Sequence, residues 1–172
     1  MILLSGHSLA HTVDTSFGSL VLSSHKVVFD PAHRALFVAD VHLGKAATFR
    51  SLGVPVPAGT TQENLERLSV AIATFQPDSL YFLGDLLHAK AAHNPDLLSN
   101  LHAWRAQHTG ISMTLIRGNH DSKAGDPPEN LNISVVAEPL RLGAFALCHH
   151  PQNVPAAFAL AGHEHPAFVL HG

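Results

Sequence analysis

The chain has 172 residues, of which 46% are hydrophobic and 13% are charged, and its formal net charge is −3. A typical soluble domain has about 25% charged residues, and low charge with an ordinary apolar content excludes a disordered chain and a coiled coil. A single cysteine, Cys148, excludes an intramolecular disulfide framework and a cysteine-built zinc site, and the negative balance gives no overall positive field that would attract nucleic acid. This length is typical of one domain, so we predict a single domain over residues 1–172.

The N-terminal part of the chain predicts β-structure followed by one helix. Short apolar runs separated by turn residues predict three strands, at residues 18–22, 25–29 and 35–39. Residues 44–59 contain several glycines and prolines and are expected to form a polar loop. Apolar residues at helical spacing then predict a helix that begins at Thr60 or Thr61, where Glu63 completes a capping box, and ends near Phe75.

In the rest of the chain, predicted strands first alternate with helices and then follow one another. Apolar runs predict strands at residues 79–83, 111–116, 133–136, 144–148 and 167–170, and Pro95 opens a second helix. This order of elements predicts an α/β fold with a mixed sheet arrangement and helices on the outside.

Polar side chains that can bind a metal follow directly after each central strand. The segments are 40–42 (Asp-Val-His), 84–88 (Gly-Asp-Leu-Leu-His), 117–121 (Arg-Gly-Asn-His-Asp), 149–150 (His-His) and 162–165 (Gly-His-Glu-His). Because ligand sites in open α/β sheets lie outside the carboxyl ends of the strands, we expect the five segments to meet in one crevice. Histidine, with 15 copies against 10 lysines and arginines together, also indicates a metal or acid–base site.

The ligand types in these segments favour a transition metal. Oxygen and imidazole ligands without a thiolate favour Mn, Fe, Co, Ni or Zn, and so many nitrogens make Ca²⁺ and Mg²⁺ second choices. In extended backbone the pairs Asp40/His42 and His163/His165 would each point the same way and bind one metal or straddle two. Any one of these segments alone is commonplace in loops and turns. Their occurrence at five successive strand ends indicates a metal centre.

The whole series resembles the signature of a known superfamily. In chain order it consists of Asp40-x-His42, Gly84-Asp85-x-x-His88, Gly118-Asn119-His120-Asp121, His149 and Gly162-His163-x-His165, and it resembles the calcineurin-like metallophosphoesterases. The surrounding residues 39–50, 53–57, 148–151 and 161–166 are similar to the ligase-associated DNA-damage-response phosphoesterase family. The resemblance implies a four-layer αββα sandwich of two mixed β-sheets flanked by helices.

The resemblance also implies a role for each residue of the series. Asp40, His42, Asp85 and His165 would hold the first metal, and Asp85, Asn119, His149 and His163 the second, so that Asp85 bridges two divalent ions. Manganese is the expected metal, with Fe, Zn, Co or Ni as alternatives, and a hydroxide between the ions is the expected nucleophile. His120 would face the leaving oxygen as an acid or electrostatic partner, Asp121 would orient its ring, and His88 would lie near the substrate phosphate.

The sequence departs from the resembled family at two places. His150 stands where an acidic residue usually follows the histidine ligand, so we assign His149 as the ligand. The chain ends at Gly172, seven residues after His165, and we expect that it lacks a C-terminal segment that relatives have.

Three cationic residues, Lys45, Arg50 and Arg117, lie near the expected site in sequence. They could contact phosphate oxygens, or they could be ordinary surface charges.

Three functions are compatible with these residues. The expected one is a two-metal phosphodiesterase acting on DNA or nucleotide diesters, associated with DNA repair and with ligase, helicase or exonuclease partners by resemblance. Its alternatives are a hydrolase of phosphomonoesters or small nucleotides, and a non-catalytic scaffold, although a scaffold predicts eroded ligands and all of them are present. Without a signal peptide or a long apolar run, the cytoplasm is the expected location, no membrane partner is expected, and homo-oligomerisation stays open.

Overall fold

A mixed sheet of eight strands forms the centre of the protein in the computed structural model, which describes residues 2–4, 8–56, 59–166 and 169. Its strands are neighbours in the same order in space as in the chain: β1 (Ile2–Leu4), β2 (Ser8–Thr15), β3 (Gly18–Ser23), β4 (Val27–Asp30), β5 (Ala35–Val38), β6 (Ser79–Leu83), β7 (Ser112–Ile116) and β8 (Ser134–Val136). From β1 to β5 the pairing is antiparallel, and from β5 to β8 it is parallel. The carboxyl ends of β5, β6 and β7 therefore lie at one edge of the sheet.

A second sheet of three strands stacks on the first. It consists of β9 (Leu140–Leu142), β10 (Phe145–Leu147) and β11 (Phe158–Leu160), with β10 in the middle, antiparallel to β9 and parallel to β11. Phe37 and Ile116 of the large sheet pack with Phe145 and Leu147 of the small sheet in one buried cluster. Burial of these apolar side chains between the sheets holds the ends of β10 and β11 beside those of β5 to β7.

Helices cover the other face of the large sheet. The helices are α1 (Lys45–Ser51), α2 (Thr60–Phe75), α3 (Pro95–Gln107) and α4 (Asn119–Ala124), and there are 3₁₀ turns at Lys90–His93 and Glu129–Leu131. Apolar side chains of α2 and α3, such as Leu68 and Trp104, pack on Leu80 and Leu115 of the sheet. The predicted fold class, two β-sheets stacked on each other and flanked by helices, is confirmed. Among the described residues no helix is long and apolar enough to span a membrane.

Most of the predicted elements are present, and two local predictions are wrong. Strand β6 has the predicted bounds, but the expected loop at 44–59 contains α1, because Gly44 (φ 85°) turns the chain and Lys45-Ala46-Ala47 are strong helix formers. The capping box is also absent, because Gly59 is the N-cap of α2 and Thr60 is already helical. The predicted strand at 167–170 lies outside the described residues apart from Val169. The single domain stays a prediction.

Candidate metal centre

The loops after β5 and β6 lie side by side and are joined through their backbones. The N–H of His42 donates to the carbonyl oxygen of Asp85, and the N–H of Leu43 donates to that of Leu86, both at 2.8 Å. In the opposite direction, the N–H of His88 donates to the carbonyl oxygen of Leu43 at 3.0 Å. The parallel pairing of the two strands thus continues beyond the sheet, through an isolated bridge between Leu43 and Leu87. This pairing brings two of the predicted ligand segments together.

The backbone is left-handed at five of the predicted ligand positions. The φ angles are 53° at Asp40, 49° at His42, 53° at Asp85, 74° at His163 and 44° at His165. The expectation that each i, i+2 pair converges through extended backbone is therefore wrong, since tight left-handed turns aim these side chains. Non-glycine residues occupy this region at a cost of about 1–2 kcal/mol each, and such residues cluster at functional sites.

Asp40, His42 and His165 form the first cluster of predicted ligands. Nε2 of His42 lies 3.3 Å from Nε2 of His165, which lies 3.7 Å from Oδ1 of Asp40. That carboxylate oxygen is buried and has no hydrogen-bond partner among the described residues, while Oδ2 accepts the backbone N–H of His163 at 2.9 Å. Two imidazole nitrogens and an unpartnered carboxylate oxygen facing one another form an arrangement that a cation would satisfy.

His149, Asn119 and His163 form the second cluster. Nδ1 of His149 donates to the carbonyl oxygen of Leu83 at 3.1 Å, which leaves the Nε2 lone pair of a neutral ring free to bind a metal. That Nε2 lies 2.9 Å from Oδ1 of Asn119 and 3.2 Å from Nδ1 of His163. The second cluster therefore also presents several acceptor atoms to one point.

Asp85 lies between the two clusters. One of its oxygens, Oδ2, is 3.9 Å from Nε2 of His42, and the other, Oδ1, is 3.6 Å from Nε2 of His149. Its side chain is buried, and Oδ1 also accepts the backbone N–H of His120 at 2.9 Å. Ligand atoms of Asp40, Asp85 and His149 lie within 4.8 Å of one another, so the two clusters adjoin.

Two glycines leave the space that these side chains fill. A Cβ at Gly84, where φ is 80°, would lie 2.0 Å from Nδ1 of His149, and a Cβ at Gly118 would lie 2.3 Å from Oδ1 of Asp85. A glycine at each position therefore lets the ligand side chain lie directly against the backbone.

The donor set fits a divalent transition metal. Carboxylate, imidazole and amide oxygen ligands without sulfur suit manganese, iron, cobalt, nickel or zinc. Burial, set against the opposing charge of Asp85, lowers the pKa of His42 from 6.5 to about 4 and so favours the neutral imidazole that binds a metal. Lys45, His120 and His88 lower this pKa further.

Asp121 does not orient the ring of His120, so that prediction is wrong. The Asp121 carboxylate is fully buried and accepts three backbone N–H groups, from Asp85 (2.7 Å), Leu87 (3.0 Å) and Gly118 (3.0 Å). The ring of His120 is instead oriented by the carbonyl oxygen of His88, to which Nδ1 donates at 2.8 Å. Burial raises the pKa of Asp121, although the three donors oppose this. Asp121 therefore fixes the loop that carries Asp85.

Glu138, which belongs to none of the sequence motifs, holds the backbone of the second cluster. One carboxylate oxygen accepts the N–H groups of His149 (2.6 Å) and His150 (2.9 Å), and the other lies 2.7 Å from Nδ1 of His150. Burial alone would raise the pKa of Glu138, but these hydrogen bonds hold it below its usual range. The available signal was His150, which stands where the resembled family has an acid. In this chain the carboxylate of Glu138, in the loop between β8 and β9, contacts the ring of His150.

The predicted substrate-binding residues lie at different distances from the clusters. Nδ1 of His88 is 3.4 Å from Nδ1 of His42, and burial and the neighbouring His120 lower the pKa of His88. Lys45 is exposed and lines a cavity together with Asp40 and His42. Arg50 donates to the carbonyl oxygen of Val56, and Arg117 pairs with Asp126 through two hydrogen bonds of 2.6 and 2.9 Å. Contact of these four side chains with substrate stays a prediction.

Comparison with known proteins gives the same family as the strand-end motifs. The family model of the calcineurin-like phosphoesterases matches residues 33–143, which include Asp40, Asp85 and Asn119. No curated protein matches the sequence. The crystal structure of Pseudomonas putida nuclease MPE is similar, with 43% sequence identity and a TM-score of 0.87, over 95% of this chain and 78% of that one.

Proposed function

Because this chain belongs to the calcineurin-like phosphoesterase family, we propose that it is a two-metal phosphodiesterase that cleaves nucleic acid. It is a metal-dependent phosphoester hydrolase, as its motifs predict. The proposed metal is manganese, with iron, zinc, cobalt or nickel as alternatives. DNA repair, ligase, helicase or exonuclease partners and a cytoplasmic location stay predictions that rest on the resemblance and on the sequence.

The position of Asp85 carries the proposal of two ions. One oxygen of its carboxylate faces His42 of the first cluster and the other faces His149 of the second. Asp40, His42, Asp85 and His165 would hold one ion, and Asp85, Asn119, His149 and His163 the other. When bound, such ions supply Lewis acidity to a phosphoryl oxygen and lower the pKa of water towards neutrality.

His120 is proposed to deliver a proton to the leaving oxygen. Its Nδ1 is occupied by the carbonyl oxygen of His88, so Nε2 is the nitrogen that could carry the transferred proton. The hydrogen bond from its backbone N–H to Asp85 fixes the residue beside the proposed bridging carboxylate. A proton donor at this position would serve an alkoxide leaving group, because an alkoxide must be protonated as it departs.

Two observations favour a polymeric diester over a small monoester. The structurally similar protein from Pseudomonas putida is a nuclease. In addition, His163 and His165 are exposed, so the centre lies at an open edge that a chain could cross. A strand of nucleic acid must continue on both sides of the cleaved bond, and an open edge accommodates that requirement.

The deciding experiment compares substrates and metals. Metal-free protein is reconstituted with Mn²⁺, Fe²⁺, Co²⁺, Ni²⁺, Zn²⁺ or Mg²⁺ and assayed on a nitrophenyl phosphodiester, on nitrophenyl phosphate and on labelled single-stranded and duplex DNA. We expect metal-dependent cleavage of the diester and of DNA, and two ions per chain in the active form. A preference for the monoester would favour the small-nucleotide hydrolase, and no cleavage with any metal would favour the scaffold.

A matched pair of variants links the activity to the centre. Asp85→Asn should abolish cleavage because it removes the carboxylate between the clusters. Asp78→Asn makes the same chemical change just before β6, at the end opposite Asp85, where the exposed Asp78 pairs with Arg34, and it should keep full activity. Equal activity of the two variants would contradict the assignment.

A further inference from the structure

A cavity extends from the first cluster, and its walls beyond the proposed metal ligands have no role in the proposed chemistry. It has a volume of about 400 Å³, within the range of about 300–1,000 Å³ of small-ligand pockets, and begins at Asp40, His42 and His165. Its walls are Phe49 of α1, Val56 of the following loop, and Thr60, Thr61 and Asn64 of α2. We refer to this cavity as the side pocket.

We propose that the side pocket receives the base of a nucleotide adjoining the cleaved phosphate. The inference rests on the proposed function and specifies how the substrate is held. Because the pocket is continuous with the first cluster, a phosphate at the metal centre would bring one neighbouring nucleoside to the opening of the pocket.

Phe49 offers a ring face in the side pocket. Phe49 is 37% exposed and lines the cavity. Its ring is inclined by 25° to that of His88 at a centroid distance of 6.2 Å, and the His88 ring is inclined by 19° to that of His120 at 4.7 Å. Three rings of similar orientation therefore lead from the proposed acid to the pocket, and a base parallel to them would stack on Phe49.

The polar groups of the pocket suit a base attached to a phosphodiester chain. Thr60 and Thr61 are half-buried, and their hydroxyl groups can bond the edge of a base. The amide of Asn64 already donates to the carbonyl oxygen of Val41 and accepts a hydrogen bond from Arg67. The exposed Lys45 lines the same cavity near His42 and supplies a positive charge for a phosphate. An aromatic face with a few polar groups and a cation is the usual arrangement for holding unpaired nucleotides.

Dinucleotides test the proposal because they contain one cleavable phosphodiester. The manganese-loaded protein is assayed on dTpdT and on two analogues in which the 5′ or the 3′ thymidine is replaced by an abasic sugar. Stacking of one base on an aromatic side chain contributes about 1–3 kcal/mol. We therefore expect at least one abasic analogue to lose about fivefold or more in kcat/KM.

Variants at Phe49 test whether the loss of kcat/KM on an abasic analogue comes from a missing base contact in the side pocket. Phe49→Ala and Phe49→Leu should lower kcat/KM on dTpdT to the level of the affected analogue and remove the difference between the two substrates. Phe49→Trp should keep that difference because it keeps a ring face. Phe17→Ala, at a similarly exposed ring (39%) in the turn between β2 and β3, should change neither substrate.

The outcomes separate this inference from the proposed function. Failure of the parent protein to cleave any dinucleotide or DNA would contradict the proposed function itself. Cleavage of all three dinucleotides at equal rates, or a base preference that survives Phe49→Ala, would overturn the side pocket as the base site while leaving the phosphodiesterase intact.

Discussion

Replacing His120 with alanine tests whether this side chain is the acid for the leaving group or a metal ligand. The distinction is real, because ring nitrogens of His42, His88 and His120 lie within 4.8 Å of one another and could themselves hold an ion. The hydrogen bond from residue 120 to Oδ1 of Asp85 comes from the backbone, so His120→Ala keeps it. The variant should therefore bind metal as the parent does and lose only what the ring supplies.

The expected loss depends on the leaving group. General acid catalysis contributes about 10²–10⁴-fold, which corresponds to about 3–5 kcal/mol of barrier. An alkoxide from DNA or an alkyl diester needs this proton, so the variant should lose about that factor in kcat/KM. A nitrophenolate is already a stable anion, and on a nitrophenyl diester the loss should be less than about tenfold.

The assay measures kcat/KM on both kinds of diester together with metal stoichiometry, for the parent, His120→Ala and the control His102→Ala on α3. The control should match the parent in all three measurements. A uniform loss across leaving groups would refute proton transfer and favour phosphate binding by His120. Lost metal would make His120 a ligand.

Other substitutions and pH test the clusters themselves. Asp85→Asn should weaken binding of both ions and His42→Ala of one, which metal analysis after dialysis distinguishes; equal residual rates at saturating metal would contradict the bridging assignment. Gly84→Ala would place a Cβ 2.0 Å from Nδ1 of His149 and should reduce metal affinity and the rate of cleavage at least about tenfold. The control Gly53→Ala has the same φ of 80°, but its Cβ would have no described atom within 4 Å, so it measures the backbone strain alone. Because the pKa of His42 falls from 6.5 to about 4 on folding, its contribution to the unfolding free energy is present above pH 6.5 and is lost as the pH falls towards 4. In urea titrations of metal-free protein, the parent should lose about 3 kcal/mol more than His42→Gln over this range, and a constant difference between them would contradict the shift.

The strands and the ligand segments were predictable because local pattern determines both. The apolar run of β6 is bounded by Pro77 before it and Gly84 after it, and β6 has the predicted bounds. Polar residues directly after neighbouring parallel strands lie at the same edge of the sheet, so the meeting of Asp40 and Asp85 follows from the order of β5 and β6. His149 follows β10 of the second sheet, and its position depends in addition on the packing of that sheet against the first.

The helix α1 was not predictable from its surroundings. Five of the sixteen residues 44–59 are glycine or proline, which predicts a loop, and the seven helical residues Lys45–Ser51 are too few for a periodic apolar pattern. Their position depends on contacts at Ala46, which is buried, and on the turn at Gly44. This short helix carries Phe49, so the side pocket also could not be foreseen.

The role of Glu138 could not be predicted from the sequence for a different reason. Its partners are the backbone N–H groups of His149 and His150, eleven and twelve residues away along the chain. A hydrogen bond to a backbone group carries no side-chain signal in the partner, so no spacing rule identifies it. The same holds for the three backbone donors of Asp121.

Asp121 shows why the misassigned carboxylate is nevertheless needed beside the metal centre. Asp85 occupies a left-handed backbone conformation (φ 53°), which costs about 1–2 kcal/mol in the absence of other contacts. The Asp121 carboxylate binds the N–H of Asp85 itself, of Leu87 and of Gly118, and hydrogen bonds to a charged group are each worth about 1.5–3 kcal/mol. One buried acid therefore stabilises the strained turn and ties the loop after β6 to the start of α4, which carries Asn119 and His120. The proposed bridging ligand, a ligand of the second cluster and the proposed acid are thus positioned by one side chain that has no free oxygen left for proton transfer.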